Sequence, residues 1–366
     1  MNTDTMNPNA AKARDDRDAM DSVHDTGSGI VSAGSAPAAS ALNTFTWLLK
    51  REYWEHRGGF LRAPLITALI FLALTLMGLI TAEITVHRFS FDFNNMHIQQ
   101  LAQQISENDI AKVNAGIDIG LLSLGSPIGI VLFFVVFFYL LGALYDDRRD
   151  RSVLFWKSLP LSDTQTVLSK VAAAMLIAPA LAVGAMMALH VGFLVLLSGY
   201  ALLHGINPFP LLWSPVHLVA LWLKLIALIP LNAIWALPCV GWLLLCSSYA
   251  RSKPFLWAIA IPTIAGVIVW WIDLMSQLSL PRSWFWEHIA ARALFSIFPG
   301  SWVKVSTFRE LAHFRDGGVD PLSSMLSMNG LRDYFSSMDL WLGAVAGIAM
   351  IAASIWFRRK RTEAYA

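Results

Sequence analysis

Apolar residues in this chain gather into long unbroken blocks instead of the one-sided stripes of a water-soluble helix. Six blocks, at about 63–85, 124–145, 171–197, 218–246, 255–272 and 340–357, approach the roughly 17 to 25 residues that an α-helix needs to cross a bilayer. The pattern predicts an all-α integral membrane protein with six transmembrane helices. The fourth block is overlong and holds Pro230 and Pro238, and the fifth holds Pro254 and Pro262. Membrane helices tolerate such prolines as kinks where neighbours satisfy the freed carbonyls. Pro179 interrupts the third block and suggests a pivot there.

Ahead of the first block the pattern changes twice. Residues 1–43 are rich in Ala, Ser, Asp, Asn and Gly and contain no Phe, Trp or Tyr, so they bury too little surface to offset the entropy of ordering. They predict a disordered tail and not a secretory signal, because no apolar core follows a basic start. Residues 44–61 mix aromatic and basic side chains at helical spacing up to Gly58-Gly59. Phe45, Leu49 and Tyr53 share one face, Lys50 and Arg57 another, and Trp47 and Trp54 flank the basic side, which predicts an interfacial elbow helix lying on the membrane. A helix packed on protein is the alternative that this pattern leaves open.

Composition agrees with a lipid environment: 56% of residues are hydrophobic and 14% charged, against about 45–50% and about 25% in soluble domains. Charge placement predicts orientation. Fifteen Lys and Arg flank the blocks on the side of the N-terminus, whereas the short loops on the other side hold only Arg88 and Lys112. Basic residues beside a span resist translocation, so both termini are expected in the cytoplasm and the protein in the cytoplasmic (inner) membrane. The long connection 273–339 has six more basic residues but exceeds the length over which the rule applies. A net charge of +2 with no basic stripe argues against a nucleic-acid partner. Cys239 and Cys246 lie within one block without ligand spacing to any partner, so they predict packing residues and neither a metal site nor a disulfide.

The usual catalytic constellations are missing. No Gly-x-x-x-x-Gly-Lys-Ser/Thr phosphate loop, His-Glu-x-x-His zinc site or Gly-x-Ser-x-Gly turn is present, so the chain has no catalytic, cofactor or metal residues by motif and no ATPase motif of its own. Polar residues inside spans are costly and therefore begin as functional candidates. Glu83, Lys224 and Asp273 lie near span ends, where they can reach headgroup water. His190 and Asn232 lie deeper and are candidates for a translocation pathway, with interhelical hydrogen bonding as the plainer explanation. Glu287, His288, His313 and Asp316 in the outer segment 273–339 would be the acid and base groups of a membrane-embedded lipid-modifying enzyme, a competing reading. A non-transporting membrane assembly factor is another.

The most informative stretch joins the second and third blocks, residues 146–170. A mixed-charge cluster at Asp146 to Arg151 is followed by Val153-Leu154-Phe155-Trp156, then by Leu159-Pro160-Leu161 and by Ser162-Asp163-Thr164-Gln165. The last four have the spacing of a capping box, in which the serine hydroxyl and the glutamine side chain each serve the other residue's amide. Apolar residues on a charged loop suggest a docking surface. This order of charged pair, apolar run and Ser-Leu-Pro-Leu-Ser resembles the cytoplasmic loop of type-2 ATP-binding-cassette transporter permeases, the exporter class. An elbow helix, six spans and an outer membrane-associated segment before the last span are similar to that family over residues 44–361. The resemblance implies a permease domain over 62–366 whose loop 146–170 contains a coupling helix touching a separate P-loop ATPase subunit, which binds the ATP. It places that contact at Asp147, Arg148, Arg149, Phe155, Trp156, Leu159, Pro160 and Ser162, and implies a second permease copy or homologous permease as dimer partner. It also implies substrate export across the membrane.

Overall fold

A computed structural model describes residues 41–89, 107–150, 161–213, 218–276, 284–302 and 326–363. Among these residues there is no strand, and six helices are long and apolar enough to span a membrane. The fold class expected from the blocks is therefore found. Helix α1 (Ala41–Arg57) runs through a π-helical turn, Gly58–Arg62, into α2 (Ala63–Phe89). The Gly58-Gly59 break expected from sequence is thus a change of helical pitch, with the backbone kink itself at His56. The joined stretch Asn43–Thr85 has 43 residues, about 65 Å at 1.5 Å per residue, so only about half of it can lie within a hydrocarbon layer about 30 Å thick.

Helix α3 (Glu107–Ala143) is followed directly by the short α4 (Tyr145–Arg149). Helix α5 (Asp163–Ala172) passes through a second π-helical turn, Ala173–Ile177, into α6 (Ala178–Leu203). Pro179 stands in the first turn of α6, where its missing amide hydrogen is no loss to the helix, so the irregularity in the third span lies in the turn just before it. Helices α7 (Leu218–Tyr249) and α8 (Pro254–Ser276) form a hairpin whose tight turn holds Lys253 at a positive φ of 48°. After the short α9 (Ala291–Phe295) and α10 (Met328–Ser336), the chain ends with α11 (Met338–Glu363). Phe45–Ala366 form one compact unit, while Met1–Thr44 form another, of which only the opening of α1 is described.

The core is built where α3, α5, α6 and α7 meet, around the fully buried Ile128, Leu140, Leu189, Leu243 and Leu244. Helices α7 and α11 approach backbone to backbone: a β-carbon on Gly241 would collide with the Gly347 carbonyl, and one on Gly347 with the carbonyl of Leu237. Pro262 in α8 cannot donate to the carbonyl of Ala258 four residues back, and the indole Nε1 of Trp242 on α7 donates to that oxygen instead at 3.1 Å. Cys239 and Cys246 are buried and free, as expected of packing residues.

The segment 284–302 dips into the bundle. Phe285 and Trp286 press against Gly266 in α8, Phe295 stacks on Phe133 of α3 with ring centroids 5.8 Å apart, and the Cys239 thiol of α7 meets the backbone at Ser296 and Ile297. Phe285, Ala290, Ser296 and Ile297 are its buried residues, whereas Trp284, Trp286, Ile289 and Phe295 stay exposed. Helix α2, by contrast, leaves Leu65, Ile66, Leu69, Leu74, Met77 and Ile80 exposed, as a lipid-facing helix would.

Candidate functional site

One end of the bundle is organised by charge. Glu52 of α1 is completely buried, although it sits between Arg51 and Tyr53 on a helix whose tryptophans point outward, Trp47 being 67% and Trp54 54% exposed. The inward stripe of α1 is Leu48 and Glu52, so the face made of Phe45, Leu49 and Tyr53 in the sequence reading is displaced around the helix. Carboxylates are almost never fully buried unless paired, and Glu52 is paired on several sides. Arg51 Nη2 lies at 2.7 Å and Lys170 Nζ at 3.3 Å from its Oε1, and the Tyr139 hydroxyl donates to its Oε2 at 2.9 Å.

The chain of charges continues from there. Lys170, 2% exposed at the end of α5, also lies 3.6 Å from Asp147 Oδ2 on α4. Arg358 of α11 binds the same Asp147 oxygen through Nη1 at 3.0 Å and Asp163 Oδ1 through Nε at 3.0 Å. Arg51, Glu52, Lys170, Asp147, Arg358 and Asp163 therefore alternate in sign and cancel. They connect α1, α4, α5 and α11, with Tyr139 adding α3. Ion pairs of this kind interact through a medium of low polarity, so separating one pair is far more costly than at a surface.

Neighbouring bonds lock the start of the 146–170 connection. Ser247 Oγ accepts from the amides of Leu144 and Tyr145, at 3.0 Å each, where α3 gives way to α4. In return Arg148 donates through Nη2 to the carbonyls of Ser247 and Ala250 at the C-terminal end of α7, where a cation complements the helix dipole. At the other end of the connection the expected capping box is formed: Gln165 N donates to Ser162 Oγ at 3.1 Å and Ser162 N to Gln165 Oε1 at 3.3 Å. Ser162→Ala should weaken α5 by about 1 kcal/mol. Amide hydrogen exchange at Thr164 to Thr166 is expected to accelerate while exchange in α7 stays unchanged.

These contacts revise the assignment of docking residues. Asp147 and Arg148 were expected to face a partner, but they engage Lys170, Arg358 and the end of α7 within this chain. Ser162 caps α5, and Arg149 is exposed. Phe155, Trp156, Leu159 and Pro160 lie outside the described residues. The sequence reading counted Lys170 and Arg358 only as topological charges and passed over Glu52. The faint signal was an acid four residues after Leu48, on the same helical face as an apolar residue.

Beside the charge chain opens a cleft of about 580 Å³ bordered by Glu55, His56, Phe138, Tyr139, Asp146 and Asp150. Glu52, Glu55 and His56 bring ligand-type atoms within 4.8 Å of one another. Both Glu52 oxygens are already occupied by cations and a phenol, so this trio is a junction of ion pairs and does not form a metal centre.

The pathway candidates separate. His190 is fully buried, its Nε2 donates to the Leu121 carbonyl at 2.9 Å, and its Nδ1 accepts from Trp222 Nε1 at 3.3 Å. Both ring nitrogens of a neutral imidazole are thereby used in joining α3, α6 and α7. Gly125 faces the same place, where a β-carbon would press on the Met186 side chain and only touch His190. Asn232, in contrast, keeps a buried Oδ1 without a hydrogen-bond partner. Glu83 pairs with His204 at 3.0 Å and accepts from Tyr200 at 3.1 Å, linking α2 to α6. Of the groups proposed for lipid chemistry, His288 bonds to the Trp284 carbonyl and stacks on the Trp284 ring, while His313 and Asp316 lie outside the described residues. Comparison with family models, curated proteins and solved structures finds no match to this chain.

Proposed function

We propose that this chain is the membrane-spanning permease subunit of an ATP-driven exporter, moved by a separate ATPase that docks on the connection 146–170. The observation that carries the proposal is the buried alternating charge chain. Both ends of that connection, through Asp147 on one side and Asp163 and Lys170 on the other, are tied to α1 and α11. A force that reaches either end of the connection is therefore passed on to the bundle as a whole. The resemblance of the connection to the coupling loop of type-2 ATP-binding-cassette permeases supports the same assignment. ATP is held by the partner subunit, two permease copies or homologues meet along their spans, and both termini face the cytoplasm. The scarcity of charged groups in the spans favours hydrophobic cargo.

In this arrangement Asp147 and Arg148 are positioning residues that hold α4 against the bundle. Direct contact with the ATPase falls to Arg149 and to the apolar stretch around Phe155 and Trp156. Purification of the full chain from its native membrane should recover a P-loop ATPase. The double variant Phe155→Asp/Trp156→Asp is expected to lose that partner while melting at the native temperature. Retention of the partner by this variant would overturn the docking assignment. Lipid-modifying activity of the isolated chain that disappears with His288→Ala would replace transport by enzymology.

A further inference from the structure

A second polar cluster lies away from the charge chain, inside the segment that dips between α8 and α11. Arg292 on α9 lays its guanidinium over the ring of Trp235, 4.0 Å from the centroid. Its other face lies against Gly343 of α11, where a β-carbon would collide with the guanidinium nitrogens. Nη1 donates to the carbonyl of Asp339 at the start of α11. Nε and Nη2 are buried and have no hydrogen-bond partner. A half-buried cation with two of its donors buried and unmet is rare in folded proteins and points to a ligand.

The geometry of the unmet pair is informative. Nε–H and Nη2–H form one edge of the planar guanidinium and point in parallel, the fork that receives the two oxygens of a carboxylate or phosphate. Ser296 Oγ, four residues after Arg292 in the same segment, is also buried without a partner, as is Asn232 Oδ1, three residues before Trp235 on α7. The wall is apolar and aromatic: Leu231, Leu340, Trp302 and Tyr334 pack together there. Tyr334 donates to the Leu231 carbonyl at 2.6 Å, and burial pushes its phenol up to about 12, so it remains a neutral donor and adds no competing negative charge. None of the described ion pairs includes Arg292, and the Asp339 carboxylate, beyond ion-pair distance, is the acidic side chain that acts on it.

We propose that Arg292 is an anion-binding residue of the membrane domain, its Nε–Nη2 edge receiving a single oxyanion, phosphate or carboxylate, carried by an amphiphile whose apolar part lies along the aromatic wall. The site does not depend on the transport reading, since a resident lipid and a passing cargo present the same chemistry. Trp235 and Gly343 fix the plane of the fork, and Asp339 fixes its rotation.

The test is thermal melting of the purified full chain in detergent with dioleoylphosphatidylglycerol, oleate, inorganic phosphate or the uncharged dioleoylglycerol. The phosphate lipid or the fatty acid should raise the melting temperature, and dioleoylglycerol should not. Protection by inorganic phosphate at the same concentrations would keep the oxyanion fork but assign it a small free anion. Arg292→Met, which removes the unmet charge, should melt no lower than the native protein in the absence of ligand and bind about tenfold or more weakly. Arg292→Lys retains a charge over Trp235 without the fork and is expected to lose protection as well. Equal protection by all four compounds, protection by none, or protection that survives both substitutions would overturn the proposal.

Discussion

Lys170→Met is expected to destabilise the protein by about 3–5 kcal/mol, because it takes a cation from the buried Glu52 and from Asp147 at once. The size of the effect comes from burial. Lys170 is 2% exposed and Glu52 fully enclosed, so water cannot replace the lost ammonium. Glu52→Gln alone should also be costly, since it leaves Lys170 with only the more distant Asp147 of its two carboxylates here, while the Tyr139 hydroxyl retains an acceptor. The double variant Glu52→Gln/Lys170→Met should then lose clearly less than the two single losses combined, with a coupling of about 1–3 kcal/mol. Denaturation of the four proteins in one detergent measures this cycle. A Lys170→Met protein within about 1 kcal/mol of native would place the pair among solvated surface bridges and remove the basis for a stiff connection.

Gly347→Ala should cost about 3 kcal/mol or more. The added carbon would lie 2.4 Å from backbone atoms of Leu237, which cannot rotate away as a side chain can. Helices α7 and α11 would have to separate, and their separation would also draw Arg358 from Asp147 and Asp163 at one end. The control is Gly184→Ala in α6, where nothing lies within 4 Å of the new carbon. That change should stabilise by about 0.5–1 kcal/mol through helix propensity alone. Melting curves that place both variants at the same temperature would contradict the backbone contact.

How far these features were legible depends on how local their causes are. The six spans stand out because each is determined by its own run of apolar residues, and the helices found exceed the blocks by only a few residues at most ends. Ser162 and Gln165 were readable for the same reason, being three residues apart. Glu52 was not, since burial of a carboxylate is decided by Tyr139 and Lys170, which are close only after α3 and α5 have packed. Asp147 and Arg148 could be read from sequence as charges on a connection, but not their intrachain partners, which are supplied by Lys170, by α11 and by the end of α7. Arg292 could be counted from sequence but not interpreted, because its meaning lies in what fails to approach it. The π-helical turns at Gly58–Arg62 and Ala173–Ile177 had only indirect signs, a glycine pair and a nearby proline.

The hydrogen bond from Trp242 to Ala258 also says which residues position 242 can accept. Phenylalanine would match the indole's bulk and greasiness while leaving an oxygen of the bent α8 with nothing to hold it. What the fold selects at this position is a nitrogen placed beyond the reach of a six-membered ring, and Pro262, twenty residues along, is the reason.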